Sequence, residues 1–170
     1  MKLKVVKHTL VMFLVNNLFA GAYLFEVKRR LLNGIGYDLG DGSKVVGPVF
    51  CTGQLKTGSN CWLGRNFTIH GTGTVEIGDN SDIAPDVTFL TGGHAIDAQE
   101  SSAGEGQSYS ISVGESCWIA AGTTLCRNTT IGKGSMVIAN SCVMKNVPEN
   151  TLAGGVPSRT IRKLDEKEIL

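Results

Sequence analysis

Between Val113 and Pro148 a large aliphatic side chain returns at every sixth residue: Val113, Ile119, Leu125, Ile131, Val137 and Val143. Four positions after each comes Cys117, Thr123, Thr129, Ser135, Ser141 or Val147, mostly small side chains. A period of six fits neither the 3.6 of a helix nor the alternation of an ordinary strand. It is the hexapeptide signature of a parallel β-helix, in which stacked turns bury their periodic apolar side chains in columns. Three hexapeptides form one triangular coil, so this stretch predicts two complete coils.

From Gly36 to Thr91 the pattern continues less regularly. Cys51, Thr57, Leu63 and Ile69 lie six apart, with Leu55, Cys61 and Phe67 in the fifth positions. A slip of two residues near Gly71–Val75 restarts the count at Ile77, Ile83 and Phe89, with Ser81 and Val87 in the small positions. Corners such as Ile77-Gly78-Asp79-Asn80 carry the residues that accept left-handed backbone angles at least cost. The expected fold is therefore all-β, a parallel β-helix spanning residues 35–163, and antiparallel hairpin architectures do not fit the repeat.

Residues 92–110 break the period. A polar insertion cannot supply a core column, so it must project from the scaffold, and long loops on rigid frames often carry function. It opens on Gly92-Gly93-His94.

Residues 1–34 follow another pattern. Lys2, Lys4 and Lys7 precede an apolar run from Thr9 to Phe25, followed by Lys28, Arg29 and Arg30. The run looks like a secretory signal, with Ala20-Gly21-Ala22 in the place of a cleavage site. Asn16 and Asn17 interrupt it, however, and it falls short of the ~20 apolar residues of a spanning helix. Leu3, Val6, Leu10, Phe13, Leu14, Leu18, Leu24, Phe25, Leu31 and Leu32 trace a helical stripe. The expectation is a retained segment of one or two helices packed on the end of the β-helix, with peripheral membrane contact as the alternative. Residues 164–170, rich in charge, read as an exposed tail.

Bulk composition removes several classes. A net charge of +1 argues against a polyanion-binding surface, so nucleic acid is not an expected partner. The 22 glycines show no Gly-X-Y period and suit a fold with many tight corners. The five cysteines form no C-x-x-C pair, which points to free thiols in a reducing cytoplasm and away from zinc.

Three segments together resemble a known family: the loop with His94, the coil Ser116-Cys117-Trp118-Ile119-Ala120-Ala121-Gly122, and the tail Ala153-Gly154-Gly155-Val156-Pro157-Ser158-Arg159-Thr160-Ile161-Arg162. They look like the hexapeptide-repeat O-acetyltransferases, in the branch of galactoside, maltose and capsule or exopolysaccharide enzymes, over roughly residues 60–163. The resemblance implies left-handed β-helices assembled as a homotrimer. It also implies acetyl-CoA and carbohydrate acceptor sites between neighbouring subunits, with no metal.

Acetyl transfer from a thioester to a sugar hydroxyl requires removal of a proton from a weakly acidic alcohol, and imidazole titrates near neutral pH. Of the three histidines, His8 lies in the N-terminal segment and His70 in a coil, and only His94 lies where scaffold gives way to polar loop. His94 also matches the position of the family's base. The galactoside enzyme's pattern has a serine where this chain has Ala121, which leaves the Ala121 backbone N–H as the oxyanion donor. Asp97 and Glu105 are candidates for orienting the imidazole, against a plain reading as solvated loop charges.

The match further implies that Trp118, Ala121 and Ala139 line the pantetheine arm and that Lys145, Arg159 and Arg162 contact the nucleotide phosphates. Arginine suits phosphate through its planar fork of donors. His70 is a candidate beside the acceptor, against a packing or surface role. The galactoside enzyme has about one extra coil near the segment corresponding to 68–76, so its sugar preference is not carried over. Val15-Asn16-Asn17-Leu18, Lys28-Arg29-Arg30 and Val46-Gly47-Pro48-Val49 are more similar to polysaccharide-modifying members, implying a sugar-nucleotide, lipid-linked or polymeric glycan acceptor. Alternatives are a sugar-nucleotide N-acetyltransferase and a non-catalytic hexapeptide scaffold. Serine acetylation lacks its large helical domain here, and a γ-class carbonic anhydrase would need three zinc-binding histidines.

Overall fold

The computed structural model describes residues 2–96 and 102–165. Each hexapeptide contributes a strand of only a few residues because the chain turns a corner before the next repeat begins. The first coil holds β1 (Asp38–Leu39), β2 (Lys44–Val45) and β3 (Val49–Cys51), and the second β4 (Gln54–Thr57), β5 (Trp62–Leu63) and β6 (Phe67–His70). The third holds β7 (Thr74–Ile77), β8 (Asp82–Ile83) and β9 (Thr88–Leu90). A projecting pair, β10 (Gly92–His94) and β11 (Gly106–Ser108), then interrupts the winding. Two further coils contain β12 (Ser110–Val113), β13 (Trp118–Ile119), β14 (Thr124–Leu125), β15 (Thr130–Ile131), β16 (Met136–Val137) and β17 (Cys142–Val143). The chain closes with β18 (Thr151–Gly155) and β19 (Ser158–Lys163).

Stacking these coils makes three sheets, ordered β1-β4-β7-β12-β15, β2-β5-β8-β13-β16-β18-β19 and β3-β6-β9-β14-β17. The architecture is the expected parallel β-helix of hexapeptide repeats. Asp38 lies against Lys56, eighteen residues on, whereas Gln54 lies against Thr74, twenty on. The slip read near Gly71–Val75 is thus a second coil two residues longer than the first. The six aliphatics from Val113 to Val143 are at most 3% exposed, and the fifth-position residues from Cys117 to Ser141 are also buried. Corners such as Asn60, Asn80 and Asn140 take positive φ, where their short side chains tolerate the left-handed region.

The N-terminal segment forms α1 (Lys2–Phe13), continues as a π-turn over Leu14–Leu18, and returns as α2 (Phe25–Asn33). The sequence stripe identified the packing residues of α2, Leu31 and Leu32, but on α1 it picked out the outer face. Leu3, Val6, Leu10 and Phe13 are exposed, while Val11, Val15 and Leu32 are buried with Met12 and Leu31 against the core. The reason lies in what the first coil presents: three open strand edges with backbone groups to satisfy. Asn33 brackets Leu39 on the β1 edge, accepting from its N–H at 2.8 Å and donating to its carbonyl at 3.0 Å. Asn16 does the same for Val49 on the β3 edge, at 2.9 and 2.8 Å. Lys28, wholly buried, donates to the carbonyls of Gly21 and of Val46, just beyond β2. Polar caps fix the helices' orientation, and the α1 part of the apolar stripe is left outside.

Candidate active site

The insertion after the third coil is an ordered ribbon at its base rather than an irregular loop. Gly92, Gly93 and His94 pair antiparallel with Ser108, Gln107 and Gly106. Two more bonds extend the ladder, Ala95 N–H to the Glu105 carbonyl and Gly104 N–H to the Ala95 carbonyl, each 2.8 Å. His94 is exposed at the outer end of β10, and its Nδ1 lies 2.8 Å from the Gly104 carbonyl oxygen. A carbonyl only accepts, so in neutral imidazole the proton sits on Nδ1 and Nε2 keeps a free lone pair. The sequence offered Asp97 or Glu105 for this orienting role. The Nδ1 partner is the backbone of Gly104. The Glu105 side chain is exposed, and Asp97 lies outside the described residues.

Tyr109 and Arg127, not singled out by the sequence, steady the ribbon. Tyr109 is buried beneath it, bound through its N–H to the Thr91 carbonyl at 2.7 Å and through its hydroxyl to Gln107 Oε1 at 2.7 Å. The Arg127 guanidinium lies over the Tyr109 ring, 5.6 Å from its centroid. A Cβ on Gly93 would stand 2.9 Å from the Tyr109 ring, so glycine at 93 lets the aromatic support the strand one residue from His94. Gly104, Tyr109 and Arg127 lie off the hexapeptide period or in its variable positions, and no local motif marks them. His70, exposed at the end of β6, meets the ribbon's root: its carbonyl accepts the Thr91 N–H at 2.7 Å.

The other predicted residues gather on the long sheet. Trp118 pairs with Met136 and Ile119 with Val137, which sets Ala121 and Ala139 at successive levels of one corner. The Asn140 N–H donates to the Ala121 carbonyl at 2.9 Å, while the Ala121 N–H has no acceptor among the described residues. Trp118 is half exposed. Arg159 and Arg162, both exposed, stand on β19, which pairs with β18 and so continues the sheet of Trp118 beyond β16. At ~4.8 Å per strand, the arginine-bearing strand lies about 14 Å from Trp118. Lys145 is exposed in the bend after β17. An indole, two small corners and a basic terminal strand thus line one direction on one face, a fit for a long ligand with an apolar arm and a phosphorylated end. His94 lies on the separate ribbon of β10 and β11.

The thiols offer no alternative nucleophile among those that burial perturbs. Burial pushes Cys51 up to about 12 and Cys126 up to about 11, and also raises Cys61 and Cys117. These groups are protonated at neutral pH, so their thiolates are not available for acyl transfer.

No protein-family model matches the chain. It is 36% identical to the galactoside O-acetyltransferase of Escherichia coli K12 over 151 residues, covering 84% of this chain and 72% of that enzyme. A colanic acid biosynthesis acetyltransferase of the same organism, a putative assignment there, is 31% identical over 68% of this chain and 62% of its own length. A crystal structure of a hexapeptide-repeat acetyltransferase from Vibrio cholerae, complexed with acetyl-coenzyme A, superposes with a TM-score of 0.82 at 27% identity. It covers 97% of this chain and 89% of that one. On this similarity, the chain belongs to the hexapeptide-repeat acetyltransferases.

Proposed function

We propose that the protein transfers the acetyl group of acetyl-CoA to a hydroxyl of a sugar or polysaccharide precursor, with His94 as general base. The observation that carries this reading is the Nδ1 bond to the Gly104 carbonyl, which in the neutral ring keeps the Nε2 lone pair for a proton on an exposed ribbon. Nε2 takes the acceptor hydroxyl proton as the oxygen attacks the thioester carbonyl, and the new C–O bond forms. The developing oxyanion is met by the Ala121 N–H. As the C–S bond breaks, the imidazolium returns the proton to the departing CoA sulfur, so the base is regenerated.

Trp118 supplies a broad apolar face, and Ala121 and Ala139 let the pantetheine arm lie close to the corner. Arg159, Arg162 and Lys145 hold the phosphates. The resemblance to the hexapeptide-repeat O-acetyltransferases supports a complete site formed between neighbouring copies in a homotrimer. The relative named for colanic acid biosynthesis supports a glycan acceptor. The test is a screen of glycans and sugar nucleotides for acetyl-CoA-dependent thiol release, with the acetylated atom located by NMR. Transfer to a carbohydrate oxygen is expected. Transfer to nitrogen would select the N-acetyltransferase reading, and no transfer to any acceptor would leave a scaffold.

A further inference from the structure

The α1 helix has two opposed apolar faces, and the coil uses one. Val11 and Val15 are buried against the core, whereas Leu3, Val6, Leu10 and Phe13, at spacings of three, four and three, are more than half exposed along the other side. Leu18, the last residue of the π-turn, is also exposed. Val5, Val6, Thr9, Leu10 and Phe13 line an outward groove of about 400 Å³ in which Thr9 is the single polar residue. Water-facing stripes of this size mark an interaction surface.

The charge around the stripe selects the occupant. The α1 sequence KLKVVKHTLVMF contains three lysines and a histidine and no acidic residue. Lys7 flanks the stripe and donates to the Gly34 carbonyl at 2.6 Å, tying α1 to the end of α2, and Lys4 is exposed toward solvent. A helix with a leucine, valine and phenylalanine face bordered by lysines has the chemistry of an interfacial helix. Its apolar side enters the acyl boundary while its cations meet anionic headgroups. No described helix is long and apolar enough to cross a membrane, so the contact would lie in the membrane plane.

We propose that the outer face of α1 docks the protein on an anionic lipid bilayer. The contact is carried by Leu3, Val6, Leu10 and Phe13, with Lys7 at the border of the stripe. It is independent of the acetyl-transfer reading, since none of these residues touches His94 or the Trp118 face.

The test is sedimentation of the full chain with vesicles of phosphatidylcholine alone and of equal parts phosphatidylglycerol and phosphatidylcholine. Binding to the anionic vesicles, weakened by salt, is expected. The double variant Leu10→Ser/Phe13→Ser should lower partition by at least about tenfold. These exposed substitutions should leave the melting midpoint and thiol release with a soluble acceptor unchanged. Equal binding to both vesicle types, no binding, or binding indifferent to Leu10→Ser/Phe13→Ser overturns the proposal. So does a change of oligomeric state in that variant without vesicle binding, which would assign the face to a second copy.

Discussion

In the coils from Val113 to Val143 each repeat aliphatic is at most 3% exposed, and its place is dictated by the residues six before and six after. In the ribbon of β10 and β11, Gly93 alone is partly buried and the other five residues are exposed. Shape there comes from backbone pairing, a glycine and the Tyr109 ring below. The coil therefore gains stability from burial, and the ribbon holds one imidazole in one orientation with little burial of its own. On the proposed mechanism stability and chemistry are separable in this molecule, and substitutions should divide accordingly.

The sharpest division is expected at His94. Removal of a general base costs roughly 10²–10⁴-fold in turnover, while His94→Ala should keep CoA affinity and the melting midpoint. Retained turnover, measured by thiol release, removes His94 from the mechanism. Leu125→Ala should do the reverse, losing about 2–5 kcal/mol of stability in denaturant titration through the cavity it leaves.

On the long sheet, Arg159→Ala and Arg162→Ala should each raise the KM for acetyl-CoA by about tenfold with kcat retained, as lost charge-assisted bonds do. The variants should also lose the preference for acetyl-CoA over its 3′-dephospho form. An unchanged KM in both would move the nucleotide elsewhere. Gly93→Ala forces the Tyr109 ring and β10 apart, and a shift approaching 1 Å at the base lowers turnover by roughly ten- to a hundredfold without weakening CoA binding.

The smallest effect concerns the cap. Lys28→Met removes the donor to the Gly21 carbonyl and should cost about 1–3 kcal/mol. Burial brings the Lys28 pKa down to about 8 from 10.5. Between these values the unfolded chain holds the proton that the folded chain has released, so this residue's contribution to stability rises with pH. The stability difference between wild type and Lys28→Met should grow from about pH 8 to 10.5. A difference that stays flat contradicts the account of this buried amine.

The coils were legible because their repeat positions report directly on burial: Val113 to Val143 could be placed, and even the two-residue slip was countable. The ribbon's ordering elements were not. The Gly104 carbonyl belongs to the backbone, and Tyr109 and Arg127 act through contacts between segments eighteen residues apart. The α1 face was misjudged for a related reason. Hydrophobic spacing reveals a stripe but not whether a coil edge needs apolar cover or hydrogen bonds, and Asn16, which looked like an interruption, is one of the caps.

The separation itself can be tested in one variant. The second coil passes from β6 to β7 through Gly71-Thr72-Gly73 alone, whereas β9 reaches β12 through residues 91–109. Replacing residues 91–109 by Gly-Thr-Gly removes the ribbon and leaves every coil strand. The measurement is acetyl transfer beside CoA binding and circular dichroism. The account predicts a folded β-helix that binds CoA and transfers nothing; surviving transfer, or a coil that fails to fold without its ribbon, would contradict it.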